Sequence, residues 1–171
     1  IQVPTGLQVP VAGSAPGGVA DGNTLVIGDA SRIVTFEFDS DNNTLATNVP
    51  ISLNPGTQNA IANAIVAAIQ NENLRIPVAN AGVGRVVVGA NANHVLDTSD
   101  TAAITTTAGV TEGNTFALRD SVTNQVVTFQ FDDLGTSNTV PLNNVAVPFT
   151  NGSTIDQIAT SIVDAIKSVS P

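Results

Sequence analysis

Oxygen-bearing side chains recur at alternate positions in Asp39-Ser40-Asp41-Asn42-Asn43, the spacing with which a loop wraps calcium. An EF-hand needs Gly at the sixth position and Glu at the twelfth, and Thr44 and Pro50 stand there instead. A looser calcium site drawing on Asp39, Asp41, Asp132 and Asp133 is the weak metal candidate, set against a solvated acidic loop as the favoured reading. His94, the single histidine, lies in the polar stretch Asn91-Ala92-Asn93-His94 and reads as a loop residue. A triad needs an activated nucleophile and an orienting acid beside it, and no G-x-S-x-G elbow occurs. Gly82-Val83-Gly84 lacks the third glycine of a dinucleotide fingerprint, and there is no Gly-Lys phosphate loop. Glu37 is a carboxylate on the polar face of an alternating strand pattern. Its counterpart later in the chain is Gln130, which points to a surface position and away from paired-carboxylate chemistry.

Composition narrows the choices further. There is no Cys, Met, Trp or Tyr, so disulfides, thiolate metal sites and cysteine nucleophiles are excluded. Six Phe are too few for a stacking platform. The net charge of −9 divides as −3 over residues 1–90 and −6 over 91–171, and the five cations are scattered. Nucleic acid is therefore not an expected partner, because phosphate binding needs clustered Lys and Arg. No apolar run reaches the roughly 18–20 residues that would cross a bilayer. With 42% apolar residues the chain still has the material for a core. A non-enzymatic protein without cofactor is the expectation.

Internal repetition shows which elements carry these residues. Asp21-Gly22-Asn23-Thr24-Leu25 returns as Glu112-Gly113-Asn114-Thr115-Phe116, and Val34-Thr35-Phe36-Glu37-Phe38-Asp39 returns as Val127-Thr128-Phe129-Gln130-Phe131-Asp132. Asn48-Val49-Pro50-Ile51 returns as Asn144-Val145-Ala146-Val147, and Ile61, Ile65, Val66 and Ile69 match Ile158, Ile162, Val163 and Ile166. Four blocks in one order mark a duplication. Within each copy, a short strand follows an acidic-Gly turn, and a second strand alternates Val/Phe/Phe against polar residues. A third strand follows a polar loop, and the period then changes to helical, with Thr57 capping the first helix and Ser153 or Thr154 the second. Runs at 74–79 and 85–90 and shorter ones at 95–97 and 103–107 add strands to the first copy only. The predicted class is α+β and β-rich: two homologous tandem modules, each a small antiparallel sheet or sandwich carrying one amphipathic helix. The boundaries are an N-terminal extended segment at 1–20, module 1 at 21–107 and module 2 at 108–171, the last without post-helix strands.

The N-terminal Leu7-Gln8-Val9-Pro10-Val11-Ala12 shares the pattern L-x-[I/V]-P-V-A with Leu74-Arg75-Ile76-Pro77-Val78-Ala79. It therefore reads as a post-helix strand in search of a sheet edge. Three arrangements follow: donation to a neighbouring molecule, which would propagate head to tail; a piece of a longer tandem array; or closure of module 2 within the chain. Donation is favoured, with Leu7, Val9 and Val11 on the donor side and Ile158 and Ile162 on the acceptor side as interface candidates. Pro4 and Pro10 limit ladder pairing.

The repeated pattern D/E-G-N-T-F/L, V-T-F-x-F-D, V-x-V/I strand, polar turn and I-x-x-x-I helix covers about residues 21–70 and 112–167. It resembles repeat modules of large bacterial extracellular and cell-surface proteins, and more loosely the short repeat of flagellar-filament and hook-associated proteins. The long coiled-coil termini of flagellins have no counterpart here. The resemblance implies β-rich surface or appendage modules without catalysis. An uncharged, Met-less start (Ile1-Gln2-Val3-Pro4) reads as a processed one, and low Lys with abundant Asn, Thr and Gly fits an extracellular or cell-surface setting. Asn42-Asn43-Thr44 and Asn151-Gly152-Ser153 match the glycosylation pattern at Asn42 and Asn151. The functional expectation is a bacterial, self-assembling structural subunit of a head-to-tail filament or surface layer, its partner being itself. The alternative is an adhesive or ligand-binding module of a tandem-repeat surface protein.

Overall fold

A computed structural model describes residues 4–89, 95–136 and 139–169. His94 lies outside them. The chain forms two compact units, 1–109 and 110–171, and its class is α+β and β-rich.

The repeated blocks build the same substructure in both units. In the first, β2 (Thr24–Gly28) pairs antiparallel with β3 (Ile33–Asp39), which pairs parallel with β4 (Val49–Ser52). In the second, β9 (Thr115–Arg119), β10 (Val126–Asp133) and β11 (Asn144–Phe149) repeat that order. Register is repeated too: Phe36 faces Leu25 and Val49, and Phe129 faces Phe116 and Val145. These sheets are thus mixed rather than purely antiparallel. Alternation along a strand gives its buried face but not the direction of its neighbour, which here depends on a loop that carries the chain back.

The acidic-Gly-Asn turn starts each substructure in the same way. Gly22 and Gly113 sit at φ 76° and 79°, a region open to glycine, and donate to the carbonyls of Phe38 (2.8 Å) and Phe131 (3.0 Å). The Asn23 and Asn114 side chains accept the N–H of Ala20 and Thr111 across each turn. On β3, Phe36 and Phe38 are fully buried, as their alternation requires.

In the first unit, α1 (Gln58–Asn71) starts at Thr57, whose hydroxyl accepts the Ala60 N–H at 3.4 Å. It buries Ile61, Ala62, Ile65, Ala68 and Ile69, with Ala64 and Val66 partly buried beside them, a stripe wider than one face. The extra width has a cause: α1 touches β4 of one sheet and also a hairpin of another, β5 (Val78–Gly82) and β6 (Arg85–Val88). That second sheet has the order β5-β6-β1-β8, with β1 at Thr5–Gln8 and β8 at Thr105–Ala108. A further strand, β7 (Val95–Asp97), extends the first sheet beside β2.

This topology corrects the expectation for the N-terminus. β1 is a central strand of the first unit, with Leu7 opposite Val86 on one side and Thr106 on the other. Leu7 and Val9 are completely buried in that unit's core, so neither offers surface to a neighbour, and only Val11 is exposed. The segment completes the first unit and does not close the second. The Pro objection is met by position: Pro4 and Pro10 flank the ladder, and Val9 donates beyond it to Gly84 O at 2.9 Å.

In the second unit, α2 (Ile155–Val169) packs on β11. Thr154 and Gln157 cap it reciprocally, each side chain bonding the other's backbone N–H. Ile158 and Ile162 are buried against their own sheet, so they too are core and not interface. Larger side chains fill this smaller core. Phe116 stacks on Phe129 at 5.0 Å, and Phe131 meets Phe149 edge-on at 6.2 Å, where the first unit has Leu25 and Leu53 in place of Phe116 and Phe149.

Candidate functional site

The acidic residues divide between the two units. Asp39 and Asp41 are joined by Asp21, with oxygens of the three within 4.8 Å of one another. Asp132 and Asp133 belong to the second unit, and neither is in that group. The carboxylates in the first group already organise a loop. Asp39 Oδ1 accepts the N–H of Asp41 (3.1 Å), Asn42 (2.7 Å) and Asn43 (3.3 Å), and Oδ2 accepts the Thr44 hydroxyl. Desolvation works to raise the Asp39 carboxyl, but these donors, led by the Asn42 N–H, hold it below its ordinary value. Asp21 accepts the backbone N–H and hydroxyl of Ser40. The second unit repeats the anchor, with Glu112 accepting the N–H of Asp133. Asp21 and Glu112 thus pin the chain as it leaves β3 and β10.

A second repeated device escaped the sequence reading. Glu37 is not at the surface: it is 8% exposed, and its Oε2 accepts Asn48 Nδ2 at 2.7 Å and the Leu45 N–H at 3.1 Å. In the second unit Gln130 Oε1 accepts Asn144 Nδ2 at 2.8 Å. Each pair ties the middle strand to the start of its parallel neighbour. Both partners lie in the repeated blocks, and their joint recurrence was the available signal. An acceptor oxygen is the shared requirement, which Glu and Gln both meet.

The two units differ in what lies on the helix. In the first, the second sheet holds α1 by hydrogen bonds as well as apolar contact. Gln58 Nε2 donates to Val9 O (2.7 Å), Gly84 N to Asn59 Oδ1 (2.6 Å) and Asn80 Nδ2 to Asn63 Oδ1 (2.7 Å). The second unit has a three-stranded sheet and no second sheet among the described residues. Positions matching buried residues of α1 are open there. Ala62 is buried and Ala159 exposed, and Ile69 is buried and Ile166 only half so. Ile155, Val163 and Val169 are each more than 40% exposed. Two clefts flank the helix: one of about 480 Å³ beside β11, reaching Asp156, Gln157 and Thr160, and one of about 350 Å³ at its C-terminal end against β9 and β10.

Both clefts present mainly apolar surface, with Asp156, Gln157 and Thr160 at one and Arg119, Asp120 and Gln125 at the other. Asn42 and Asn151 are both exposed. No helix among the described residues is long and apolar enough to cross a membrane. No family model matches the chain, and no curated protein matches it either.

Proposed function

We propose that this chain is a non-enzymatic structural module of an extracellular or cell-surface assembly, whose neighbours are further copies joined head to tail by strand complementation. The observation that carries this reading is the unequal covering of the duplicated helix. α1 lies between two sheets, while α2, built from the same repeat, keeps one apolar face open. Open apolar faces and sheet edges are ordinarily covered in use. The acceptor is therefore the second unit. The N-terminal strand is not the donor, since both its edges are paired at home.

Sedimentation and negative-stain imaging of the purified chain test this reading. Ordered polymers that lengthen with concentration are expected, and a monodisperse particle at high concentration would overturn it. A heterologous contact of this kind propagates unless its rotation closes a ring.

A further inference from the structure

The 350 Å³ cleft of the second unit has a filled counterpart in the first, and the filling names its occupant. The cleft is lined by Leu118, Asp120, Val127, Phe129, Ile166 and Val169, among others. Through the repeat, Leu118, Asp120, Val127, Phe129 and Ile166 correspond to Ile27, Asp29, Val34, Phe36 and Ile69. All four apolar counterparts are buried: Ile27 is 0% exposed, whereas Leu118 is 37% exposed. In the first unit the chain leaving α1 supplies two more members of the same core, Leu74 and Ile76. Between them, the Arg75 N–H donates to Asp29 Oδ2 at 2.9 Å. Asp29 Oδ1 meanwhile caps its own turn through Ser31 and Arg32. Asp120 is the same residue in the same turn. Its Oδ1 accepts the N–H of Val122 and Thr123, as Asp29 does for its turn, and Asp120 lies on the rim of the cleft.

We infer that this cleft is the receptor for a Leu-x-Ile-Pro-Val segment of another module of this type, docking as Leu74-Arg75-Ile76-Pro77-Val78 docks in the first unit. The two apolar side chains enter between β9, β10 and the end of α2, and the intervening N–H bonds the Asp120 carboxylate. This deepens the proposed function by naming what covers the second unit. Within one chain the matching segment is engaged in its own unit, so in a homopolymer it is exchanged out of that unit to serve the next copy.

The test uses the full chain and a fluorescently labelled peptide of residues 73–80, followed by anisotropy and by methyl and amide NMR shifts. Saturable binding is expected, with shifts at Leu118, Val127 and Ile166. Leu74→Asp or Ile76→Asp in the peptide should weaken it at least about tenfold, as should Val169→Asp in the chain, an exposed site whose replacement spares the core. A short peptide bears the full cost of ordering, so a linked form accompanies it, with residues 73–88 joined directly after Val169. There the local concentration reaches the millimolar range. Shifted Leu118, Val127 and Ile166 methyl signals and a shifted Asp120 carboxyl signal in the linked form support the assignment. Signals unchanged from the parent chain overturn it, as does peptide binding that V169D leaves untouched. Binding without self-association would uphold the cleft and remove the homopolymer.

Discussion

Leu7→Ala decides whether the N-terminal strand belongs to its own molecule. Leu7 is completely buried, between Val86 and Thr106 on its two neighbouring strands. The replacement removes three carbons beyond Cβ, about 2.4 kcal/mol at ~0.8 kcal/mol per buried group. A central strand held on both edges relaxes little into the space, and the residual cavity brings the total to about 3–5 kcal/mol. For a unit of this size that corresponds to a melting temperature lower by about 12–20 °C. Differential scanning calorimetry across a hundredfold range of concentration is the assay. The loss should be the same at every concentration, because an intramolecular strand carries no mass-action term. Dilute chain that melts within about 2 °C of the parent, with self-association weakened instead, would refute the reasoning. Leu7 would then serve a neighbour.

Four further outcomes follow from the same geometry. Glu37→Ala should cost about 1–3 kcal/mol by leaving Asn48 and the Leu45 N–H without an acceptor, whereas Glu37→Gln should cost under about 1, as urea unfolding followed by circular dichroism will read; equal costs would mean that charge and not acceptor geometry matters. Val83 holds φ 50° in the β5–β6 turn and is exposed, so Val83→Asn should raise stability by about 1 kcal/mol, and a loss would show that the turn is not strained there. The Asp29 carboxyl is held well below its ordinary value, first by the Ser31 hydroxyl and then by the Arg75 and Ser31 N–H groups. A depressed folded-state value means stability that is present above the unfolded value of 3.8 and lost as pH falls below it, so melting temperature should drop below about pH 4 and Asp29→Asn should flatten that drop. Calcium should leave the melting temperature unchanged relative to chelator, since Asp39 and Asp21 already accept loop N–H groups; a rise of several degrees would instead make the Asp21, Asp39 and Asp41 group a metal site.

Strand positions were legible because their signal is local. Val34, Phe36 and Phe38 alternate within one strand, and the Ile61–Ile69 spacing needs only a helix. The capping roles of Thr57 and Thr154 were equally local. Partnership was less legible. Leu7-Gln8-Val9-Pro10 announces a strand with a buried face, but the strands beside it come from residues 85–88 and 105–108, which nothing in the segment encodes. Glu37 looked like a surface carboxylate because its counterpart in the second copy is Gln130. Its burial depends on Asn48 returning beside it, a consequence of the parallel pairing. The calcium set pooled similar motifs from two repeats, which fall in different units, and it left out Asp21, which the structure brings to Asp39 and Asp41. The open face of α2 became visible only by comparing each of its residues with its counterpart on α1.

The placement of β1 has a kinetic consequence. Its two partners, β6 and β8, begin about eighty and one hundred residues later in the chain. During synthesis the strand therefore emerges before both of its partners, while β2, β3, β4 and α1 complete their local contacts. Closing the second sheet is the late, high-contact-order step of the first unit. Until then Leu7 and Val9 remain solvent-facing on a segment that is unpaired on both edges. The moment at which another chain has access to this strand precedes the native state, and crowding nascent chains together is the condition under which exchange would compete with folding.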